Sequence, residues 1–266
     1  MVKLQEPDKA KNIFGDWQET IIWSALKGVM GSVYADREDD IHSAAAVLGD
    51  FCFLAGVPCE ELISSARMWA EQNFIIMVPQ NEKWGEMIEN TLKDRAVQVT
   101  RYAMKKEGDV FDREKLRKAV KSLPKGFELM PIDEKLYDYC KTQEWSKDLV
   151  SQFADYPVYH KLGIGVVALY QGEPAAGASS YSRYLTGIEI EIDTKEEYRR
   201  RGLAYACGAQ LILNCLDRGL YPGWDAQNLK SRALAEKLGY TFDYAYKAYE
   251  CIFNPSRPST PNSFAS

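Results

Sequence analysis

The chain has 266 residues, 46% of them apolar and 27% charged, and a formal net charge of −5. That length accommodates two modest domains, and the composition suits a globular protein able to bury a core. The acidic balance argues against a protein that embraces duplex DNA, which needs a basic face to displace counterions, so no nucleic-acid partner is expected. Residues 20–33 read as a helix with Ile21, Ile22, Ala25 and Val29 on one side. Residues 44–57 are small and apolar and hold a buried strand around 49–55. A helix over 60–70 follows, then a continuous apolar run of strand length at 74–78, ended by Pro79. Asn81 is placed to cap a helix that runs to Leu92. A strand over 97–104 and a charged helix over 112–122 complete a first α/β domain, residues 1–123, to which no motif attaches a chemistry.

Pro124 and Gly126 break the pattern and mark a domain boundary. After it come a short strand (127–130), a helix (133–153) and three strands at 164–170, 175–184 and 187–194. The first two of these flank Gln171-Gly172-Glu173-Pro174, a tight-turn sequence, and should pair as a hairpin. A helix (203–218), a strand (221–227), a helix (229–238) and a final strand region (241–253) follow. The second domain, 124–253, is therefore an α/β (α+β) sandwich around an initially antiparallel meander. The tail, 254–266, is Pro- and Ser-rich and too polar to fold.

The six cysteines form no C-x-x-C pair and have only His42 and His160 beside them, so no metal site is expected. No apolar run approaches the ~20 residues that span a bilayer, and no signal-peptide pattern opens the chain. A reduced, cytoplasmic setting without membrane contact is the expectation. Gly163-x-Gly165-x-x-Ala168 imitates a dinucleotide fingerprint, but it precedes a strand instead of joining strand to helix and reads as turn chemistry.

The segment from Ile188 to Leu216 carries the chemistry. In its strand Ile188, Ile190 and Ile192 face one way, while Glu189, Glu191 and Asp193 face the other. The acidic row reads either as the wet face of an amphipathic strand or as a proton-transfer group. The strand runs into Tyr198-Arg199-Arg200-Arg201-Gly202-Leu203-Ala204 and then a helix. Free N–H groups and the positive end of the helix dipole at such a turn suit a pyrophosphate. Gly202 permits close backbone approach, and Ala204 keeps the first helical turn small. A solvated charge cluster is the alternative for the arginines.

Arg199-x-x-Gly202-x-Ala204 resembles the [Q/R]-x-x-G-x-[G/A] motif of the GCN5-related N-acetyltransferase family. Downstream, Asn228-x-x-Ser231, a helix and Lys237-Leu238-Gly239-Tyr240 look like the family's N-x-x-[A/S] … K-x-G-[F/Y] segment at matching spacing. The resemblance covers about the last half of the chain and extends to a longer subgroup similar to zwittermicin-resistance acetyltransferases. It implies a mixed central sheet flanked by helices and acetyl transfer from acetyl-coenzyme A to an amine of a small molecule, an antibiotic included, or of a protein. It further implies pantetheine along Ile192, Asp193 and Thr194, and pyrophosphate on the loop of Arg199, Arg200, Arg201, Gly202, Leu203, Ala204 and Tyr205. Asn228, with Ser231 beside it, would bond the pantetheine arm, although Asn228 also reads as a helix cap.

Two departures from the family pattern bear on catalysis. Ala235 stands where many relatives have the tyrosine that protonates the thiolate, and Gly223 where some have a glutamate base. Glu189 or Glu191 is then the expected base, and Tyr240, Tyr244 or Tyr246 the candidate acid. The alternative is a non-catalytic acyl-coenzyme A-binding or interaction module, which the missing acid favours. The first domain would cover the acceptor site, serve homodimer formation, or be a decayed copy of the same fold, since it too alternates strand and helix.

Overall fold

The computed structural model describes residues 1–70 and 73–253, and the tail expected from residue 254 lies outside the described residues. The described chain forms two compact units, one of residues 1–101 with 245–253 and the other of residues 102–244. The sequence break at Pro124 and Gly126 is thus a local turn, which leads into an edge strand within the second unit.

The first unit opens with β1 (Val2–Lys3), a short 3-10 turn, α1 (Lys11–Phe14) and α2 (Thr20–Leu26). The helix expected over 20–33 stops at Leu26, because Gly28 and Gly31 take φ of 62° and 80° and redirect the chain. A meander follows of β2 (Ser32–Ala35), β3 (Ser43–Leu48) and β4 (Phe51–Gly56). The apolar stretch expected to hold one strand holds two, turned at Gly49 with φ 58°. After α3 (Glu60–Ser65) comes β5 (Phe74–Pro79), parallel to β4, then α4 (Glu82–Leu92) and β6 (Ala96–Met104). Asn81 caps α4 as its position foretells, its side chain accepting the Trp84 N–H at 3.2 Å. Trp84, Ile88 and Leu92 on that helix are buried against Leu54, Ile75 and Met77.

The second unit holds α5 (Arg113–Lys121), β7 (Phe127–Pro131), α6 (Glu134–Thr142), α7 (Tyr156–Leu162), β8 (Gly165–Tyr170), β9 (Glu173–Tyr184) and β10 (Gly187–Thr194). Next are α8 (Leu203–Asp217), β11 (Tyr221–Gly223), β12 (Asp225–Ala226), α9 (Leu229–Leu238) and β13 (Phe242–Ile252). The helix expected over 133–153 ends at Thr142, and a 3-10 turn at Lys147–Leu149 leads on to α7, whose start carries the Asp155 cap. The sheet order is β11-β10-β9-β8-β7, antiparallel except for the β10/β11 pair. Gly163 and Gly165 lie against the Tyr159 ring, where any Cβ would collide, so the fingerprint-like spacing serves packing.

Both units follow one order: an edge strand, two helices, an antiparallel meander of three strands, a helix, a parallel strand, a helix and a last strand. Each unit takes in part of the other's last strand: most of β13 belongs to the first unit and the end of β6 to the second. Residues 249–252 of β13 pair with β5 in the first unit, and Tyr249, Cys251 and Phe253 join its core. In the second unit, Ala103 and Tyr102 at the end of β6 pair with β12.

Candidate active site

In the second unit β10 is paired along its length with β9, but with β11 only at Gly187↔Tyr221, Ile188↔Pro222 and Glu189↔Gly223. Beyond Gly223 the chain turns to β12, whose partner is β6. The sheet therefore parts at Glu189. From Ile190 to Thr194 the β10 backbone has a strand on one side only, which leaves an edge able to bond an extended ligand. Bonds on the far side hold the departing strand: the Tyr240 hydroxyl donates to Pro222 O at 2.7 Å, and Trp224 Nε1 to Ser231 Oγ at 3.1 Å.

The loop after β10 ends at α8. Arg200 and Gly202 both take positive φ, 60° and 83°, and Gly202 is the residue before the first helical turn. The α8 ladder begins with Ala206 N–H to Gly202 O at 3.1 Å, so the amides of Leu203, Ala204 and Tyr205 precede it. Side chains of Asn81, Asp112, Asp133, Asp155 and Asn228 cap α4, α5, α6, α7 and α9, whereas α8 has no side-chain cap and no acidic residue in its first turn. A Cβ built on Gly202 would meet nothing within 4 Å, so the space before these amides is open. Arg199, Arg200 and Arg201 are exposed beside it. Arg199 Nε donates to Thr194 O at 3.3 Å, and the Arg201 guanidinium lies 5.3 Å from the Tyr198 ring centre. Together these features present amide donors and fixed positive charge to an anion.

The two faces of β10 differ as its alternation foretells. Ile188, Ile190 and Ile192 pack toward Leu203, Cys207 and Leu211 of α8, and Gly208 lets that helix approach Ile192. On the other face Glu189 is only 8% exposed, so this is no wet strand face. Burial raises the Tyr184, Tyr221 and Tyr240 hydroxyl pKa values, and the Glu189 charge adds to the rise in each. Glu191 and Asp193 are half-buried, and Glu191 Oε1 accepts the Ile192 N–H at 3.1 Å. Burial and then the charge of Asp148, in the 3-10 turn after α6, push the Asp193 carboxyl up to about 7, while Arg199 opposes the shift. Thr194 Oγ1 is buried with no hydrogen-bond partner among the described residues.

The residues singled out in the sequence fall into three groups. Ile192, Asp193, Thr194, Arg199 to Tyr205 and Glu191 gather at the free edge and the loop. Asn228 caps α9, its Oδ1 accepting the Lys230 and Ser231 N–H groups at 2.9 Å each, so its amide nitrogen is the group left for a ligand. Of the tyrosines, Tyr240 is buried with its hydroxyl engaged by Pro222, Tyr244 is 44% exposed, and Tyr246 belongs to the first unit. Tyr184, Tyr221 and Asp148 join the acidic row without any motif to announce them; only the fold brings them there.

The repeated order of elements, a parted sheet and an uncapped helix start after the parting strand define an acyltransferase fold. The chain belongs to the GNAT acetyltransferase family, whose model matches residues 11–249 and so runs through both units. It is 30% identical over 264 residues to an uncharacterized N-acetyltransferase, YdfB, of Bacillus subtilis (strain 168), covering 90% of this chain and 93% of that one. It is 48% identical, with a TM-score of 0.88, to a GCN5-related N-acetyltransferase-like protein from Streptococcus suis 89/1591, over 93% of this chain and 98% of that one. A tandem GNAT protein from the clavulanic acid biosynthesis pathway shares the fold at 11% identity and a TM-score of 0.53, over 85% of this chain and 84% of that one. The protein is thus an acyltransferase of a family that generally takes its acetyl group from acetyl-coenzyme A and passes it to an amine. No helix among the described residues is long and apolar enough to cross a membrane.

Proposed function

We propose that the second unit binds acetyl-coenzyme A in the parting between β10 and β11 and acetylates a primary amine of a small cationic molecule. The observation that carries this reading is the free β10 edge from Ile190 to Thr194, which leads directly to the open, uncapped start of α8. Backbone groups of Ile192 and Thr194 would bond the pantetheine arm as a strand would, with Asp193 between them bonded to β9 and the Asn228 amide reaching the arm from α9. Amides of Arg200 to Tyr205, aided by the arginine charges, would hold the pyrophosphate. The buried, unsatisfied Thr194 hydroxyl and the empty space before Gly202 fit such a ligand. When bound, the thioester supplies the acetyl group, and the coenzyme leaves as a free thiol.

The chain's own task is to prepare the amine. An alkylamine with a pKa of ~10.4 is charged at neutral pH and must lose a proton before it can attack. Glu189, buried at the parting point, takes that proton directly or through a water, and Glu191 orients the cation from the half-buried part of the row. The same carboxylates favour a cationic acceptor over a neutral one. Tyr240 and Tyr221 each donate to a backbone carbonyl, of Pro222 and Lys105, and are kept out of proton transfer, so the thiolate draws its proton from water or from Tyr184. Antibiotic amines belong to this acceptor class.

The test is release of free thiol from acetyl-coenzyme A across a panel of mono- and diamines. Amine-dependent release by the wild type, reduced roughly 100-fold or more in Glu189→Gln, is the expected result. Thiol release that Glu189→Gln leaves unchanged would remove Glu189 from the mechanism. Donor binding without release for any amine would reduce the protein to a binder.

A further inference from the structure

Tyr240 lies where the family-like K-x-G-[F/Y] segment ends, and its environment specifies what its hydroxyl does. Alternate residues of a strand turn their backbone groups to opposite edges. Tyr221 N–H donates to Thr186 O at 2.8 Å, so Tyr221 addresses the β10 side and Pro222 the outer edge of β11. Proline has no N–H to leave unpaired there. Its carbonyl, the one group that edge presents at this residue, accepts the Tyr240 hydroxyl at 2.7 Å.

The ring is fixed as firmly as the hydroxyl. It packs edge-on to Phe111 with centres 4.9 Å apart and to Trp224 at 5.5 Å. Its backbone is set by Gly239, whose φ of 117° ends α9, and by Tyr240 N–H to Ala235 O at 3.1 Å. At the other end of α9, Ser231 Oγ accepts Trp224 Nε1. The strand that leaves β10 is therefore fastened to α9 at both ends, by Pro222 to Tyr240 and by Trp224 to Ser231.

We infer that Tyr240 is a positioning residue for donor binding: its hydroxyl holds β11 at the point where it departs from β10 and so keeps the parting open. This rests on the reading that acetyl-coenzyme A binds in that parting. Without the hydroxyl, the Pro222 carbonyl is left buried and unbonded, and the strand is no longer held back from the free β10 edge that the ligand needs. The ring stays in place in Tyr240→Phe, so the fold is kept while the fastening is lost.

Tyr137→Phe is the matched control. The Tyr137 hydroxyl also donates to a buried carbonyl, Phe153 O, at 2.7 Å in the same unit, but on α6, which has no part in the donor reading. Titration calorimetry with acetyl-coenzyme A should show Kd raised about tenfold in Tyr240→Phe and within twofold of wild type in Tyr137→Phe, with similar losses of Tm. In turnover, KM for the donor should rise while kcat at saturating donor and KM for the acceptor stay put. Equal Kd values in the two variants would overturn the inference and leave the donor site standing. Absence of binding by the wild type would instead overturn the donor site itself. Should Tyr240→Phe not fold, Trp224→Phe breaks the companion bond, and a raised Kd upholds the inference while an unchanged one overturns it.

Discussion

The two units repeat one order of elements, yet only the second has the features of a donor site. In the first, β4 and β5 stay paired from Phe51↔Ile76 to Leu54↔Pro79, so no edge opens between them. In the second, the equivalent pair parts after three residues. The helix that follows differs as much. α3 is six residues long and carries Glu60 and Glu61 in its first turn, with Glu61 Oε1 bound to the N-terminal ammonium at 2.7 Å. α8 is fifteen residues long, starts at a left-handed glycine and has no acidic residue in its first turn. Carboxylates at a helix start repel the pyrophosphate that bare amides attract. Topology alone, then, does not make the site. On the proposed reading, where a strand leaves its neighbour, and what charge the next helix presents, decide which unit would take the donor.

The largest effect should come from cutting the exchanged strands. A fragment of residues 1–123 lacks β13 and with it Tyr249, Cys251 and Phe253, all part of the first unit's core. Losing three core side chains at ~2–5 kcal/mol each exceeds what most small domains can spare. The fragment should show no cooperative unfolding transition by circular dichroism, and a sharp one would mean that the unit is complete without β13. Next in size, Glu189→Gln should lower kcat roughly 100-fold with the donor Kd within twofold, by thiol release and calorimetry. Glu60→Gln with Glu61→Gln should leave donor binding as it is; a gain of a second site would show that charge alone silences the first unit.

A smaller effect is expected from Asp193. Its folded pKa lies above the 3.8 of an ordinary aspartate, so between those values the folded chain binds more proton than the unfolded chain. Stability from this group is therefore present at low pH and lost as pH rises through about 7. Asp193→Asn should gain Tm relative to wild type at pH 8 compared with pH 5, and an opposite trend would mean that Arg199 governs the group. Smallest of all, Arg200→Ala should weaken donor binding a few-fold at low salt and less at high salt, since an exposed charge is screened.

Much of the frame was legible in the residues because it is written in local rules. Asn81 and Asn228 stand where caps stand, and the Ile/Glu alternation of β10 separates its two faces. Gly202 with Ala204 marks the helix start at the loop. What escaped has no local mark. The pairings of β6 with β12 and of β13 with β5 join residues far apart in sequence. Nothing in residues 133–153 weighs against one long helix until Asp155 and Pro157 restart it as α7. Alternation cannot tell a buried acidic face from a wet one, so Glu189 reads the same either way. Tyr184 reaches the acidic row from β9, Tyr221 from β11 and Asp148 from the 3-10 turn after α6, and the fastening of Pro222 by Tyr240 needs the fold to be seen.

On the proposed reading one unit of the two holds the donor, at the parting of β10 and β11 and the start of α8. Calorimetric titration of the full chain with acetyl-coenzyme A, beside Gly202→Asp, tests it most directly. Aspartate enters positive φ more readily than most side chains, so this variant, at some strain in the backbone, places a carboxylate before the α8 amides. One site per chain in the wild type and a loss of affinity of at least ~100-fold in the folded variant are expected. Two equivalent sites, no site, or a variant that binds as the wild type does would contradict it.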